Sequence, residues 1–253
     1  MSEFQAILAS VPGFAGAEVV ERLADGPTNL SLRVEQGSRS FVLRVDKPEA
    51  ARLGLNRKAE LNVIEVIANA GLGTLPVHFD ADAGIYLRPY RPGRTWTRAD
   101  LLDEDKLERL AALLRELHAL PPAGSAFKPL LAAGRYARQL GSTEAGNLFG
   151  QVASAYALIE PGPPALCHND LVCQNILEDE KLTLIDWEYA GMGDPYFDLA
   201  IVVQHHELEE HLPRHFLAAY LQHQPDEKDL ERLAKQRRFY AALLELWNLR
   251  VAL

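Results

Sequence analysis

The chain has 253 residues, enough for one large domain or two lobes with a real core, and its 48% hydrophobic and 24% charged residues are ordinary for a globular protein. A formal net charge of −9 argues against broad contact with nucleic acid or an anionic membrane, since both require a basic face. Two cysteines are too few for a disulfide framework, no apolar run reaches the ~20 residues that span a bilayer, and the first ten residues lack the basic-then-apolar order of a signal peptide, so a cytoplasmic, reduced setting is expected.

Residues 1–20 read as a short helix followed by a break at Pro12-Gly13. The period then changes to two. Leu30, Leu32 and Val34 alternate, Gln36-Gly37-Ser38 turns the chain, and Phe41, Leu43 and Val45 alternate again, which predicts a hairpin. The link before it, Asp25-Gly26-Pro27-Thr28-Asn29, is small and polar; its amides suit a phosphate, and an ordinary β-turn is the plainer reading. Residues 47–54 are expected as a loop. Residues 56–70 are expected as a helix, with Leu61, Ile64, Val66 and Ile67 at helical spacing and Gly71 at the C-cap. Short strands follow near 74–79 and 84–87, and Arg88-Pro89-Tyr90-Arg91-Pro92-Gly93 then interrupts regular structure.

Beyond that link, Thr97-Arg98-Ala99-Asp100 has the form of a capping box opening a helix, whose stripe is Leu107, Leu110, Leu113, Leu114 and Leu117 and whose end is Pro121-Pro122. A helical stretch over about 134–159 follows, interrupted by glycines, then a strand-turn-strand over 175–185. The remainder from Phe197 onward is mostly helical, with a break near Pro225. These elements predict an α+β chain: a small β-rich N-lobe (1–88), a proline-rich hinge (89–93) and a larger, mainly helical C-lobe (94–253).

The sharpest pattern is His168-Asn169-Asp170, then Asn175, then Asp186 at the end of an apolar run. Two carboxylates and an amide oxygen are hard donors that suit Mg²⁺ and a phosphate substrate better than zinc or iron. Folded as strand-turn-strand, Asn175 and Asp186 converge on one ion. Asp170 is left to orient or deprotonate an acceptor hydroxyl, and His168 reads as a structural hydrogen-bonder. The order is that of kinase-type phosphoryl transfer. A plain polar hairpin would carry single parts of this pattern by chance, but not all of them in order. The run His205-His206-Glu207-Leu208-Glu209-Glu210-His211 misses His-Glu-x-x-His spacing and is expected to be a solvated helix surface. Cys167 and Cys173 lack Cys-x-x-Cys spacing and read as packing residues.

His168-Asn169-Asp170-Leu171-Val172 and Ile185-Asp186-Trp187-Glu188-Tyr189-Ala190-Gly191-Met192-Gly193-Asp194-Pro195, through Phe197-Asp198-Leu199-Ala200, closely resemble the choline/ethanolamine kinase family, a group with bacterial choline kinases and thiamine kinases within the aminoglycoside phosphotransferase superfamily. The resemblance is specific over 166–200 and follows element order elsewhere. It implies a protein kinase-like bilobal fold and an ATP- and Mg²⁺-dependent transfer of phosphate to the hydroxyl of a small cationic alcohol, with no metal other than Mg²⁺. Choline or ethanolamine comes first; thiamine, an aminoglycoside or a sugar is the alternative acceptor. A nucleotide-binding pseudokinase module is the non-enzyme alternative, and the complete Asp170, Asn175 and Asp186 set argues against it.

The same resemblance implies roles residue by residue. Gly26-Pro27-Thr28-Asn29 corresponds to the family's phosphate loop, placing Thr28 and Asn29 at ATP. Arg44, in Phe41-Val42-Leu43-Arg44-Val45, meets the α- and β-phosphates, where a guanidinium can pair bidentately, and Glu60 is its acidic partner. Tyr90 falls at the adenine hinge, where its N–H is the donor because Pro89 has none. Asp198 braces the catalytic loop. Glu188, Tyr189, Asp194 and Trp187 follow the metal Asp with the carboxylates and aromatic faces that a cationic head group needs. Trp247 and Tyr240 could complete the cage, although Trp247 also shares helical spacing with Phe239, Leu243 and Leu246 and so fits core packing. Glu188 is the first substrate candidate. The absence of a Gly-x-Gly-x-x-Gly loop and of an activation-segment signature argues against a protein substrate.

Overall fold

Period-two alternation builds the first part of the chain, and it extends one strand further than the hairpin expected from residues 30–45. In the computed structural model, which describes residues 3–252, β1 (Glu18–Asp25), β2 (Asn29–Gln36), β3 (Arg39–Asp46), β4 (His78–Asp80) and β5 (Ile85–Pro89) form one antiparallel sheet in the order β1-β2-β3-β5-β4. Leu32 pairs with Leu43 and Val34 with Phe41, so these side chains share one face. Against it pack Leu8 of α1 (Glu3–Ser10), Val11, Phe14 and Ala17, with the Phe14 and Phe41 rings edge to face at 4.8 Å. Met1 and Ser2 of the expected first helix lie outside the described residues.

Residues 47–54 are not a loop. They hold α2 (Pro48–Leu53), with a proline in its first turn, Gly54 beyond its end at φ 77°, and Ala50 and Leu53 buried. Proline at the start and glycine past the end are the natural bounds of a short helix. The chain then enters α3 (Arg57–Asn69), capped by the Asn56 side chain accepting from the Ala59 N–H at 3.1 Å. Strand residues alternate faces, so Arg44 points away from Leu43 and its apolar neighbours, and it meets Glu60 of α3 instead.

The chain divides into two compact units, Met1–Pro92 and Gly93–Leu253. In the second, the Thr97/Asp100 capping box opens only a 3₁₀ turn, Arg98–Leu102. The helix itself, α4 (Glu104–His118), has its own cap in Asp103. The expected stretch over 134–159 is two helices, α5 (Pro129–Leu140) and α6 (Thr143–Tyr156), separated by Gly141 at φ 65° and capped anew by Ser142. After α7 (Pro195–His205) come α8 (Leu212–Leu221) and α9 (Glu227–Val251). Every residue of α7 from Tyr196 to Val203 is buried, as befits a helix apolar all round, and α9 packs along it.

Short strands hold the loops between these helices. β6 (Arg94–Thr95), β9 (Ile176–Glu178) and β10 (Leu182–Leu184) form one sheet, with Leu184 opposite Ile176. β7 (Ser125–Ala126), β8 (Ala165–Cys167) and β11 (Gly191–Gly193) form another. Among the described residues, no helix is long and apolar enough to cross a membrane.

Candidate active site

The loop from β8 to β9 contains the His168–Asn175 motif, and buried partners fix it at several points. The fully buried Asp198, in the first turn of α7, accepts the His168 N–H at 2.8 Å and the Asn169 N–H at 2.7 Å. Its Oδ2 also lies 3.1 Å from His118 Nε2, and His118 Nδ1 lies 2.8 Å from the Tyr220 hydroxyl. Asn169 takes φ 63°, a left-handed conformation that Asn tolerates, and its amide donates to the Tyr189 carbonyl at 3.0 Å. His168 Nε2 sits 3.0 Å from the Ile185 carbonyl, and its ring packs on Trp187 at 4.6 Å. Burial holds His168 below the usual imidazole range, which keeps it neutral and structural.

His206 forms a further tie. It is buried, with Nε2 3.1 Å from the Leu171 carbonyl and Nδ1 3.4 Å from Cys173 Sγ. This end of the histidine run is therefore not a solvated surface, and burial pushes His206 down to about 4. His205 turns instead to the Tyr240 hydroxyl at 2.8 Å.

Within that frame the motif residues meet. Asn175 Nδ2 donates to the Asp170 backbone carbonyl and to Asp170 Oδ2, each at 2.9 Å. The amide orientation leaves Asn175 Oδ1 as an oxygen donor. The Ile185 N–H donates to the Asn175 carbonyl at 3.0 Å, setting the next residue, Asp186, alongside. Burial, then the Asp186 charge, push the Asp170 carboxyl up to about 7, against the opposing hydrogen bond from Asn175. Two carboxylates and an amide oxygen fit a hard divalent cation such as Mg²⁺.

The residues after Asp186 divide. Burial first, then the charges of Glu188, Tyr136 and Asp170, raise the Tyr189 hydroxyl well above its usual range, and the Trp247 indole lies close enough to oppose this. Tyr136 on α5 is raised by burial and feels Glu188, and Tyr240 on α9 is raised by burial and feels Asp170. Glu188, Tyr189 and Trp247 thus gather near Asp170 and are joined by Tyr136, which nothing in the sequence marks beyond an aromatic on an amphipathic helix.

Trp187 and Asp194 do not join them. Trp187 is buried against His168. Asp194 caps α7 through the Tyr196 N–H at 3.0 Å and accepts from Arg232 at 2.7 Å and Gln236 at 2.8 Å, so its charge is committed inside the protein. Those partners stand 38 and 42 positions further along the chain, where no local pattern reveals them.

In the first unit, Arg44 grips Glu60 through both guanidinium nitrogens, at 2.6 and 2.8 Å. Glu60 also accepts from Arg57 at 2.8 Å, and Arg57 grips Asp46 at 2.8 and 2.7 Å. Burial alone would raise the Glu60 carboxyl; the guanidiniums, Arg44 foremost, reverse this and hold it below the usual range. The Arg57-x-x-Glu60 spacing is the one sequence sign of this second clamp. Thr28 and Asn29 have buried side chains joined by Asn29 Nδ2 to Thr28 Oγ1 at 3.0 Å, and Lys47 Nζ pins their loop through the Gly26 carbonyl at 2.7 Å. Tyr90 differs from expectation. Its N–H donates to the Ser40 carbonyl at 2.9 Å, so the sheet uses the amide expected for adenine, and its ring lies under Arg33 at 4.8 Å.

Residues 19–235 match the phosphotransferase enzyme family. Protein LicA of Haemophilus influenzae is 27% identical over 209 residues, which cover 77% of this chain and 60% of that protein's length. A solved choline/ethanolamine kinase family protein from Mesorhizobium loti is 26% identical, with a TM-score of 0.77 over 98% of this chain and 84% of its own. The choline kinase LicA from Streptococcus pneumoniae has 22% identity and a TM-score of 0.76 over 98% of this chain and 89% of its own, a likeness of fold. The fold of the chain is protein kinase-like, with an antiparallel sheet in the first unit and a helical second unit.

Proposed function

The chain belongs to the phosphotransferase enzyme family, and from that premise we propose that it is a cytoplasmic enzyme that transfers the γ-phosphoryl group of ATP to the hydroxyl of a small cationic alcohol of the choline or ethanolamine type. The observation that carries this reading is the meeting of Asp170 with Asn175, 2.9 Å apart, beside Asp186. Asp170 orients the acceptor hydroxyl in line with the phosphorus and takes its proton as the new O–P bond forms and the bond to the ADP oxygen breaks. Asn175 Oδ1 and the Asp186 carboxylate would hold Mg²⁺, which when bound supplies charge neutralisation on the phosphate oxygens. Arg44, kept in one orientation by Glu60 and Arg57, meets the α- and β-phosphates.

Glu188 supplies the negative charge for the acceptor's nitrogen, and Tyr189, Tyr136 and Trp247 supply aromatic faces. The relatives named as choline or ethanolamine kinases support this class of acceptor. An ADP-release assay over choline, ethanolamine, thiamine, aminoglycosides and amino sugars tests it. Turnover with choline or ethanolamine is the expected result. ATP binding without turnover on any of them would replace this reading with that of a nucleotide-binding module.

A further inference from the structure

The turn between β1 and β2, Asp25-Gly26-Pro27-Thr28-Asn29, corresponds to the phosphate loop. Across it the Gly26 N–H donates to the Asn29 carbonyl at 3.0 Å, while Gly26 lacks the side chain that would restrict its backbone. Three further bonds come from one residue outside the turn. Lys47 donates its backbone N–H to the Thr28 carbonyl at 2.8 Å, and its Nζ donates to the Gly26 carbonyl at 2.7 Å and to Asp25 Oδ1 at 2.5 Å. The β2–β3 ladder makes this possible. It ends with Asn29 opposite Asp46, so Lys47 emerges beside the turn although 21 positions separate it from Gly26.

We propose that Lys47 is a positioning residue for the nucleotide: by gripping Asp25, Gly26 and Thr28 it holds the loop in the arrangement that receives the ATP phosphates. This inference rests on the proposed binding of ATP. Lys47 is itself firmly placed. Its carbonyl accepts the Ala50 N–H at 3.0 Å at the start of α2, and Pro48 fixes the next backbone angle. A loop whose backbone cradles phosphate must be ordered once the ligand is bound, and freedom removed beforehand is not lost on binding. The ammonium also offsets Asp25. Its hydrogen bond holds that carboxyl below the usual range, and without it a bare negative charge would stand in the loop that receives an anion.

The fold does not depend on this grip. The Lys47 and Asp25 side chains are both partly exposed, and an ion pair in that setting contributes little to folding. The consequence of losing it therefore falls on the loop. Arg44 and Glu60 differ in this respect, because they are buried and paired with each other, so removing either disturbs the fold together with the phosphate contact.

The test compares the full chain with Lys47→Met and Lys47→Arg. Affinity for ATP with Mg²⁺ is read by calorimetry, kcat and both KM values by ADP release with choline, and loop order by hydrogen–deuterium exchange over residues 26–29. Lys47→Met should weaken ATP affinity and raise its KM roughly tenfold. It should leave kcat, the acceptor KM and the melting temperature nearly unchanged, and it should speed exchange in the loop. Lys47→Arg keeps the charge and should recover most of the affinity. Unchanged ATP affinity in Lys47→Met would overturn the inference, as would a loss shared by kcat, both KM values and the melting temperature, which marks a merely structural role. If the wild-type chain binds no ATP, the proposed function falls and this inference with it; if it binds ATP and Lys47→Met binds it equally well, this inference alone falls. Calorimetry and exchange do not depend on turnover.

Discussion

Replacing Asp198 with Ala tests how the catalytic loop is held. The carboxylate accepts the His168 and Asn169 N–H groups at 2.8 and 2.7 Å, with His118 Nε2 at 3.1 Å, in a site with no solvent exposure. Alanine leaves both backbone donors buried without an acceptor, at about 1–3 kcal/mol each. A destabilisation of about 4 kcal/mol follows, and urea unfolding monitored by fluorescence of the buried Trp187 measures it. Asp198→Asn keeps one oxygen and should lose about half as much. Turnover should fall more than substrate affinity, because the loop that carries Asp170 loses its anchor. A stability for Asp198→Ala within about 1 kcal/mol of wild type would refute the reasoning.

Other consequences are as direct. The unfolded chain takes up the His206 proton near the usual pH of about 6.5, and the folded chain only near 4. The folded state is therefore penalised as pH falls through that window, by up to about 3 kcal/mol; His206→Gln should flatten this part of the stability–pH curve, and an unchanged slope would count against the buried placement. Glu60→Gln removes the carboxylate charge that Arg44 and Arg57 share, while Arg57 keeps Asp46, so unfolding should cost about 3 kcal/mol less and the apparent KM for ATP should rise, read by denaturation and steady-state kinetics. A Cβ on Gly191 would come within 2.3 Å of the Ser125 carbonyl, whereas one on Gly146 in α6 meets nothing within 4 Å. Gly191→Ala should thus destabilise by about 2 kcal/mol or more, and Gly146→Ala should stabilise by up to about 1 kcal/mol, a contrast that thermal unfolding resolves.

What the sequence reveals of this molecule depends on how far apart the interacting residues lie. Asp170, Asn175 and Asp186 flank one strand-turn-strand, so their meeting follows from local folding, as does the alternation that turns Arg44 away from the apolar core. Asp194 appears available to a substrate until Arg232 and Gln236 arrive from α9. Tyr90 appears to offer its amide until β3 pairs with β5 and Ser40 takes it. The helix at Pro48–Leu53 was within reach of the sequence, because proline and glycine mark its two ends; too short to show an apolar stripe, it resembles a loop. His206 shows the opposite error. Its neighbours are polar, so the run looks solvated, and only the approach of the catalytic loop reveals that one histidine faces inward.

The division of labour between Asp170 and Asp186 is the central claim, and one pair of variants tests it most directly. ADP release and ATP binding are measured together, with and without Mg²⁺, for Asp170→Ala and Asp186→Ala. Asp170→Ala should abolish turnover while ATP affinity stays nearly intact, and Asp186→Ala should lose Mg²⁺-dependent nucleotide binding as well. Near-normal turnover by Asp170→Ala would contradict the role assigned to that carboxylate.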